Sequence, residues 1–330
     1  MRQNGRRQFL IASGALLAAP RTGRAQQPGR TYRLVALFGG YSDGIQLYRS
    51  ALGERLSTHG FVEGGNLQIE HRAGSFTYAG GGEPRSELLT AKPDAIFTLM
   101  ENATQAAQTV TRTVPIVFAW VTDPVALGIV QSYAHPGGNI TGVTNRFGDL
   151  LVKRLELAHD LLPAVKRVAV IGYKGRRYTM FSPPLRRAAA QLGIDLIEVE
   201  ISGRGWDYGV ERAALSGAEV IVPFFRFTEA GRRGDGKLVV KAAVKYGVRV
   251  IFAGAEMVEA GGLMSYGTNL VDDVRRGADL LARVLKGEKP AEIPVDRAAH
   301  FELAVNLKTA KAMGITIPPS IMLRADRVIE

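Results

Sequence analysis

Side chains suited to holding a small polar molecule follow one another directly after short apolar runs. Tyr41 and Ser42, Glu101 and Asn102, and Thr122 and Asp123 occupy such places in the first part of the chain, and Tyr173, Phe225, Arg226, Glu256 and Tyr266 follow later runs. Hydroxyl, amide and carboxylate groups fix the polar end of a ligand, while Tyr and Phe rings cover its apolar body. Arg226 offers a planar fork matched to a carboxylate, and Glu101 suits an ammonium. Several of these residues also have a plainer use. Asp123 precedes Pro124, where Asp caps a turn. Glu101 can cap a helix near Thr104, its charge meeting the positive end of the dipole. Arg226 can face solvent beside Arg232 and Arg233, and Tyr266 can brace a hinge.

Catalytic spacings fail in this sequence. In Gly39-Gly40-Tyr41-Ser42-Asp43-Gly44 a tyrosine stands where a dinucleotide-binding loop needs its second glycine. There is no phosphate-binding loop ending in Gly-Lys-Ser/Thr and no Gly-x-Ser-x-Gly elbow. The five histidines, His59, His71, His135, His159 and His300, include no pair four residues apart to hold a metal. With no cysteine, the sequence also excludes disulfides, zinc-thiolate sites, iron-sulfur clusters, a thiol nucleophile and a lipidated N-terminal cysteine. No cofactor and no metal is expected. An exported α/β hydrolase using Glu101 or Asp123 as a base is the alternative, disfavoured because no histidine stands beside an activated nucleophile.

The elements that must position these residues alternate. Apolar runs expected as strands are Leu34 to Phe38, Leu67 to His71, Ala95 to Met100 and Ile116 to Trp120, with helical spacing over Ile45 to His59, Glu83 to Thr90 and Thr104 to Thr111. His135 to Asn145, rich in glycine, breaks the cycle. It restarts with a helix over Leu150 to Leu162, strands over Arg167 to Ile171, Leu196 to Val199, Val220 to Phe225 and Arg249 to Ala253, and helices over Pro184 to Leu192, Tyr208 to Ser216 and Lys237 to Tyr246. Such alternation means parallel sheets with crossover helices, here in two similar halves. In open α/β sheets ligands bind at the carboxyl ends of strands, so a cleft between two lobes is the expected site.

The chain opens as an export signal does: Arg6 and Arg7, an apolar run from Phe9 to Ala19, and a small-residue exit at Gly23-Arg24-Ala25. The run is too short to span a bilayer, which takes about 20 apolar residues. A mature chain starting near Gln26, free in a Gram-negative periplasm, is expected, by the general or the twin-arginine route. Five of the 42 basic residues lie in the first 25 positions, so removal of the segment takes five from the net charge of +11. The remaining arginine pairs are scattered, which argues against nucleic acid, since phosphate tracking needs a contiguous basic face.

Four blocks carry a resemblance: Asp123-Pro124-Val125 with Gly128, His135-Pro-Gly-Gly-Asn-Ile-Thr-Gly142, Glu256 to Asn269, and the tail from Asn306-Leu-Lys-Thr-Ala-Lys311 through Gly314 to Ile329. Together they resemble the ABC-transporter substrate-binding family that includes tryptophan- and tyrosine-type binding proteins. The resemblance implies a type I periplasmic-binding fold: two Rossmann-like lobes, three hinge crossovers, a small solute enclosed between them, and an ABC permease as partner and sole link to the membrane. By that analogy residues 31–144 and 263–292 form lobe 1, and residues 145–262 and 293–330 form lobe 2, with the hinge near Thr144, Gly262 and Pro294. The chain departs from the family at expected ligand contacts. Met100, Glu101 and Asn102 stand where relatives place a small residue and a hydroxyl, Phe224 to Phe227 follow Pro223, and Ala255 replaces an arginine. A small amphipathic solute, an amino acid or an aromatic carboxylate, is the expectation.

Overall fold

The computed structural model describes residues 29–39, 45–74, 85–173, 175–201, 205–224 and 235–330. The chain first lays down β1 (Tyr32–Gly39), α1 (Ile45–Thr58), β2 (Leu67–Gly74), β3 (Ala95–Leu99), α2 (Glu101–Val110), β4 (Ile116–Val121) and β5 (Ile140–Thr144). A second series follows: α3 (Phe147–Leu161), β6 (Arg167–Gly172), α4 (Arg176–Gln191), β7 (Asp195–Glu200), α5 (Gly205–Leu215), β8 (Val220–Pro223), α6 (Asp235–Tyr246), β9 (Arg249–Phe252), α7 (Glu256–Glu259) and β10 (Met264–Gly267). The chain then returns with α8 (Leu270–Leu285) and β11 (Asp296–Arg297), and ends with β12 (Glu302–Asn306), α9 (Leu307–Ala312), α10 (Pro319–Met322) and β13 (Arg327–Ile329).

Two sheets result, ordered β11-β5-β4-β3-β1-β2 and β13-β12-β10-β9-β8-β6-β7. Every pair in the first sheet is parallel, and in the second only β10 with β12 is antiparallel. Parallel strands are covered on both faces and so read as unbroken apolar runs. In β1, Leu34, Ala36 and Phe38 pack with α1 and α8. Val35 and Leu37, pointing the other way, pack with α2. The second sheet divides likewise. Val168 and Val170 meet Leu151, Leu155 and Leu185 of α3 and α4, and Ala169 and Ile171 meet Val210 and Val239 of α5 and α6. Among the described residues, no helix is long and apolar enough to cross a membrane.

The chain passes between the sheets three times, after β5, after β10 and after β11. Here the strand pairing differs from the lobe boundaries expected above. Met264–Gly267, expected in lobe 1, pairs with β9 in the second sheet. Asp296–Arg297, expected in lobe 2, pairs with Val143 and Thr144 of β5 in the first. The second and third passages therefore lie at Thr268–Asn269 and Ala298–Phe301, a few residues beyond Gly262 and Pro294. The second passage ends in an Asn cap, Asn269 Oδ1 accepting from Val271 N at 3.0 Å; at the first, Asn145, one residue before the cap position Arg146, accepts at Oδ1 from Phe147 N at 3.0 Å.

Other differences are local. Residues 140–144, within the segment read as a break, form a full strand. A glycine belongs in it because a Cβ at Gly142 would lie 2.1 Å from the Phe118 carbonyl oxygen. Helix α4 begins two turns before Pro184 and carries Pro183 and Pro184 inside it, forgoing their amide donors. The helix expected over 83–90 is a short 3-10 turn over Arg85–Leu89, and residues 83 and 84 lie outside the described residues.

Candidate functional site

In each sheet the first strand lies between the second and third: β2-β1-β3 in one and β7-β6-β8 in the other. At such a reversal the connections leave to opposite faces, and a crevice opens at the carboxyl ends of the two strands. The first switch point is bounded by Gly39 and by residues 100–102, the second by Gly172–Tyr173 and Phe224. Strands β5 and β10 hand the chain from one sheet to the other at their carboxyl ends, so both switch points stand on the side of their sheets where the lobes join.

The first-lobe end is tightly braced. Met100 turns the chain sharply with φ 75° while its amide donates to the Ala119 carbonyl at 3.0 Å. Glu101 then opens α2, starting that helix three residues before Thr104, and is buried at 8% exposure. Its Oε1 accepts from the Thr122 amide at 3.0 Å and from the Thr122 hydroxyl. The carboxylate thus ties the end of β3 to the end of β4. Asn102 lies against Gly39, where a Cβ would come 2.1 Å from Asn102 Oδ1. Only glycine leaves room for that amide. Asp123 closes the turn after β4, accepting at Oδ1 from Val125 N at 3.2 Å, Ala126 N at 3.0 Å and the Tyr133 hydroxyl at 3.0 Å. Burial, and then the Asp123 charge, push the Tyr133 phenol up to about 12.

The second-lobe end is aromatic. Tyr173 is 43% exposed and meets Trp206 of α5 edge-on, with ring centroids 5.5 Å apart at 81°. Phe224 by contrast is core, packed against Phe147 at 5.6 Å and Tyr178 at 5.0 Å. Glu256 is the first residue of α7. Tyr266 lies in β10, where its carbonyl accepts from Arg154 Nε at 2.8 Å and its ring lies 5.9 Å from Phe301 in the third passage.

A sequence family described as ABC transporter substrate binding protein matches residues 42–329. The chain belongs to the ABC transporter substrate-binding family. A tyrosine-binding protein from Clostridioides difficile (strain R20291) is 26% identical over 261 residues, 79% of this chain and 74% of that protein. Among solved structures, a conserved domain protein from Vibrio cholerae aligns with a TM-score of 0.80 at 25% identity, covering 91% of this chain and 100% of the other. A Streptococcus pneumonia ABC domain in complex with L-Trp aligns with a TM-score of 0.79 at 23% identity, with the same coverage. The type I periplasmic-binding fold is shared with these neighbours. A substrate-binding protein binds its solute without covalent change, so the chain is not an enzyme, and the hydrolase alternative finds no support. Membership implies a small-molecule ligand and an ABC permease as partner.

Within this substrate-binding protein the sequence-derived candidates separate. Glu101, Asn102 and Thr122 are brought together at the first switch point, and Tyr173 stands at the second. Asp123 takes its plainer use, as a turn cap. Tyr266 lies beside two of the passages between sheets. Tyr41, Ser42, Phe225 and Arg226 lie outside the described residues. Among the described residues no group of three or more His, Asp or Glu is placed to hold a metal. The sequence reading missed Trp206, Trp120 and Arg154. Trp206 lies two residues before the helix expected over Tyr208 to Ser216, although it heads the buried face of α5 with Gly209, Val210 and Ala213. Arg154 hides among the charged residues of an amphipathic helix. No local signal marks Trp120 as other than a strand residue.

Proposed function

We propose that this protein captures a small amphipathic solute, an amino acid or an aromatic carboxylate, between the two switch points. It hands that solute to an ABC permease in the periplasm, after export on a cleavable signal ending near Ala25. The observation that carries the reading is the contrast across the join: an accessible Tyr173 ring backed by Trp206 on one side, and the buried Glu101–Thr122 pair on the other. The ring edge suits an aromatic or aliphatic body, and the braced polar end suits a charged or hydrogen-bonding head. The tyrosine-binding relative and the L-Trp complex support the same solute class. Tyr41, Ser42, Asn102, Phe225, Arg226 and Glu256 complete the proposed lining, with Arg226 the cation for a carboxylate.

Thermal denaturation of the mature protein against L-tyrosine, L-tryptophan, other amino acids, aromatic carboxylates and sugars tests this. A ligand at a hundredfold its Kd stabilises the folded state by about 2.7 kcal/mol, raising Tm. One or more amino acids or aromatic carboxylates should raise it and sugars should not. A response to sugars alone, or to nothing in the panel, overturns the solute class. Intact mass of protein recovered from a periplasmic extract should correspond to a chain beginning near Gln26; a full-length chain held in the cytoplasm overturns the export reading.

A further inference from the structure

Solute capture between two lobes needs a joint, and the three passages of chain leave open what the lobes turn on. One very small cavity, about 10 Å³, lies at the junction. It offers room for no more than about one water. Its lining comes from both lobes and two passages: Trp120 of β4, Asn145, Phe147 and Arg154 of the chain after β5, Ala253 after β9, and Thr268 after β10. The contact between lobes here is therefore close-packed.

Two of these residues are unusual. Trp120 is a bulky side chain at φ 59°, in a bulge where the register of β4 against β5 shifts between Phe118 and Val121, yet it is buried at 8% exposure. A non-glycine residue held in the left-handed region costs about 1 to 3 kcal/mol and persists where its surroundings over-determine it. Glycine would relieve the strain at once, so the indole itself is what the position retains. Arg154 is the largest fully buried side chain in the described residues, at 1% exposure. Its Nε bond to the Tyr266 carbonyl joins α3, which follows the first passage, to β10, which leads into the second.

We propose that Trp120 and Arg154 are positioning residues that form the pivot of the joint, a role that rests on the solute-capture reading above. The indole is the fixed surface of the first lobe against which α3 bears. The guanidinium locks α3 to β10, so that the second lobe turns as one body. Neither residue needs to touch the solute.

The natural absence of cysteine allows a test that involves no solute. Leu47→Cys in the first lobe and Val244→Cys in the second, 57% and 61% exposed, accept spin labels. Pulsed dipolar spectroscopy then reads the distance distribution between lobes. Trp120→Gly, whose backbone fits the bulge, should at least double the width of that distribution. Trp120→Leu, retained as the variant more certain to fold, should broaden it in the same sense, and Trp120→Phe should broaden it least. Arg154→Lys keeps the charge but loses the Nε bond, and should broaden it without a comparable loss of helical signal. Distributions of Trp120→Leu and Arg154→Lys superimposable on the parent overturn the pivot. Because no solute is present, this outcome is independent of the thermal panel, whose failure bears on the capture reading alone.

Discussion

The two ends of the proposed binding region are built on opposite principles. At the first switch point polar groups are held by protein partners: Thr122 gives both its donors to Glu101, Asp123 takes three, and Asn102 Oδ1, set beside Gly39, accepts from Ala103 N. At the second, a tyrosine ring stands nearly half exposed, steadied edge-on by a buried tryptophan. A polar group positioned by other polar groups does not have to be reorganised when a ligand arrives, whereas a ring edge adapts to ligands of different outline. In the proposed binding region the contrast assigns the lobes different parts: the first a pre-set frame, the second a surface.

Glu101→Ala should break that contrast most severely. It leaves the amide and hydroxyl of Thr122 buried without their acceptor, at about 1 to 3 kcal/mol for each. Urea unfolding should show a loss of about 2 to 4 kcal/mol, and a loss below about 1 kcal/mol would mean that the frame is not braced by this carboxylate. Asp123→Asn should come next, lowering stability by about 1 kcal/mol. Ultraviolet titration of the same variant should find the Tyr133 phenol below its present value of about 12, still raised by burial but free of the neighbouring charge. A phenol unchanged in Asp123→Asn would remove Asp123 as a cause.

Tyr173→Ala addresses the other end. Loss of an aromatic contact worth about 0.5 to 1.5 kcal/mol should weaken the best solute of the thermal panel between about twofold and about tenfold by calorimetry. Losing the edge-on contact with Trp206 should also lower stability by about 0.5 to 1.5 kcal/mol. Equal affinity in Tyr173→Ala would take that ring out of the site. The smallest effect is expected at Glu198, on β7 at the sheet edge. Hydrogen bonding to Arg186, with Ser182 at 2.9 Å, holds its carboxyl at about 2, below its ordinary 4.5. A depressed carboxyl contributes stability that is complete above its unfolded value and is lost as pH falls through the folded one. Between about pH 4.5 and pH 2 the parent should therefore lose slightly more stability than Glu198→Gln. Parallel curves would show that the pair contributes nothing.

Much of the architecture was legible because parallel strands covered on both faces must be apolar throughout, so Val168 to Ile171 and Val220 to Val222 stand out of the sequence. The membership of β10 and β11 was not. Met264–Gly267 and Asp296–Arg297 are short: the first joins β9 by two residue pairs and β12 by four, and the second is tied to its sheet only by two pairs with Val143 and Thr144, far back in the chain. The binding region was half legible. A position just after an apolar run does place Glu101, Asn102, Thr122 and Tyr173 at strand ends, since strand ends are set by local pattern. What each carboxylate does there was not legible: Glu101 and Asp123 look alike in sequence, and only the three donors converging on Asp123 distinguish a turn cap. Trp120 escaped notice because a bulge is a property of two strands in register, and β5 was hidden in a glycine-rich stretch.

The return of α8 to the first sheet sets an order of assembly. Phe38, Phe97, Val117 and Ala119 on one face of that sheet are covered in part by Val274, Ala278 and Leu281 of α8. The five strands that present this face are complete by Thr144, while their cover begins at Leu270. During synthesis from the amino terminus, residues 145–269 must all emerge before the face can be closed. Over that interval a nascent first lobe carries an apolar surface without its lid, a state suited to chaperone capture and ill suited to early, irreversible compaction.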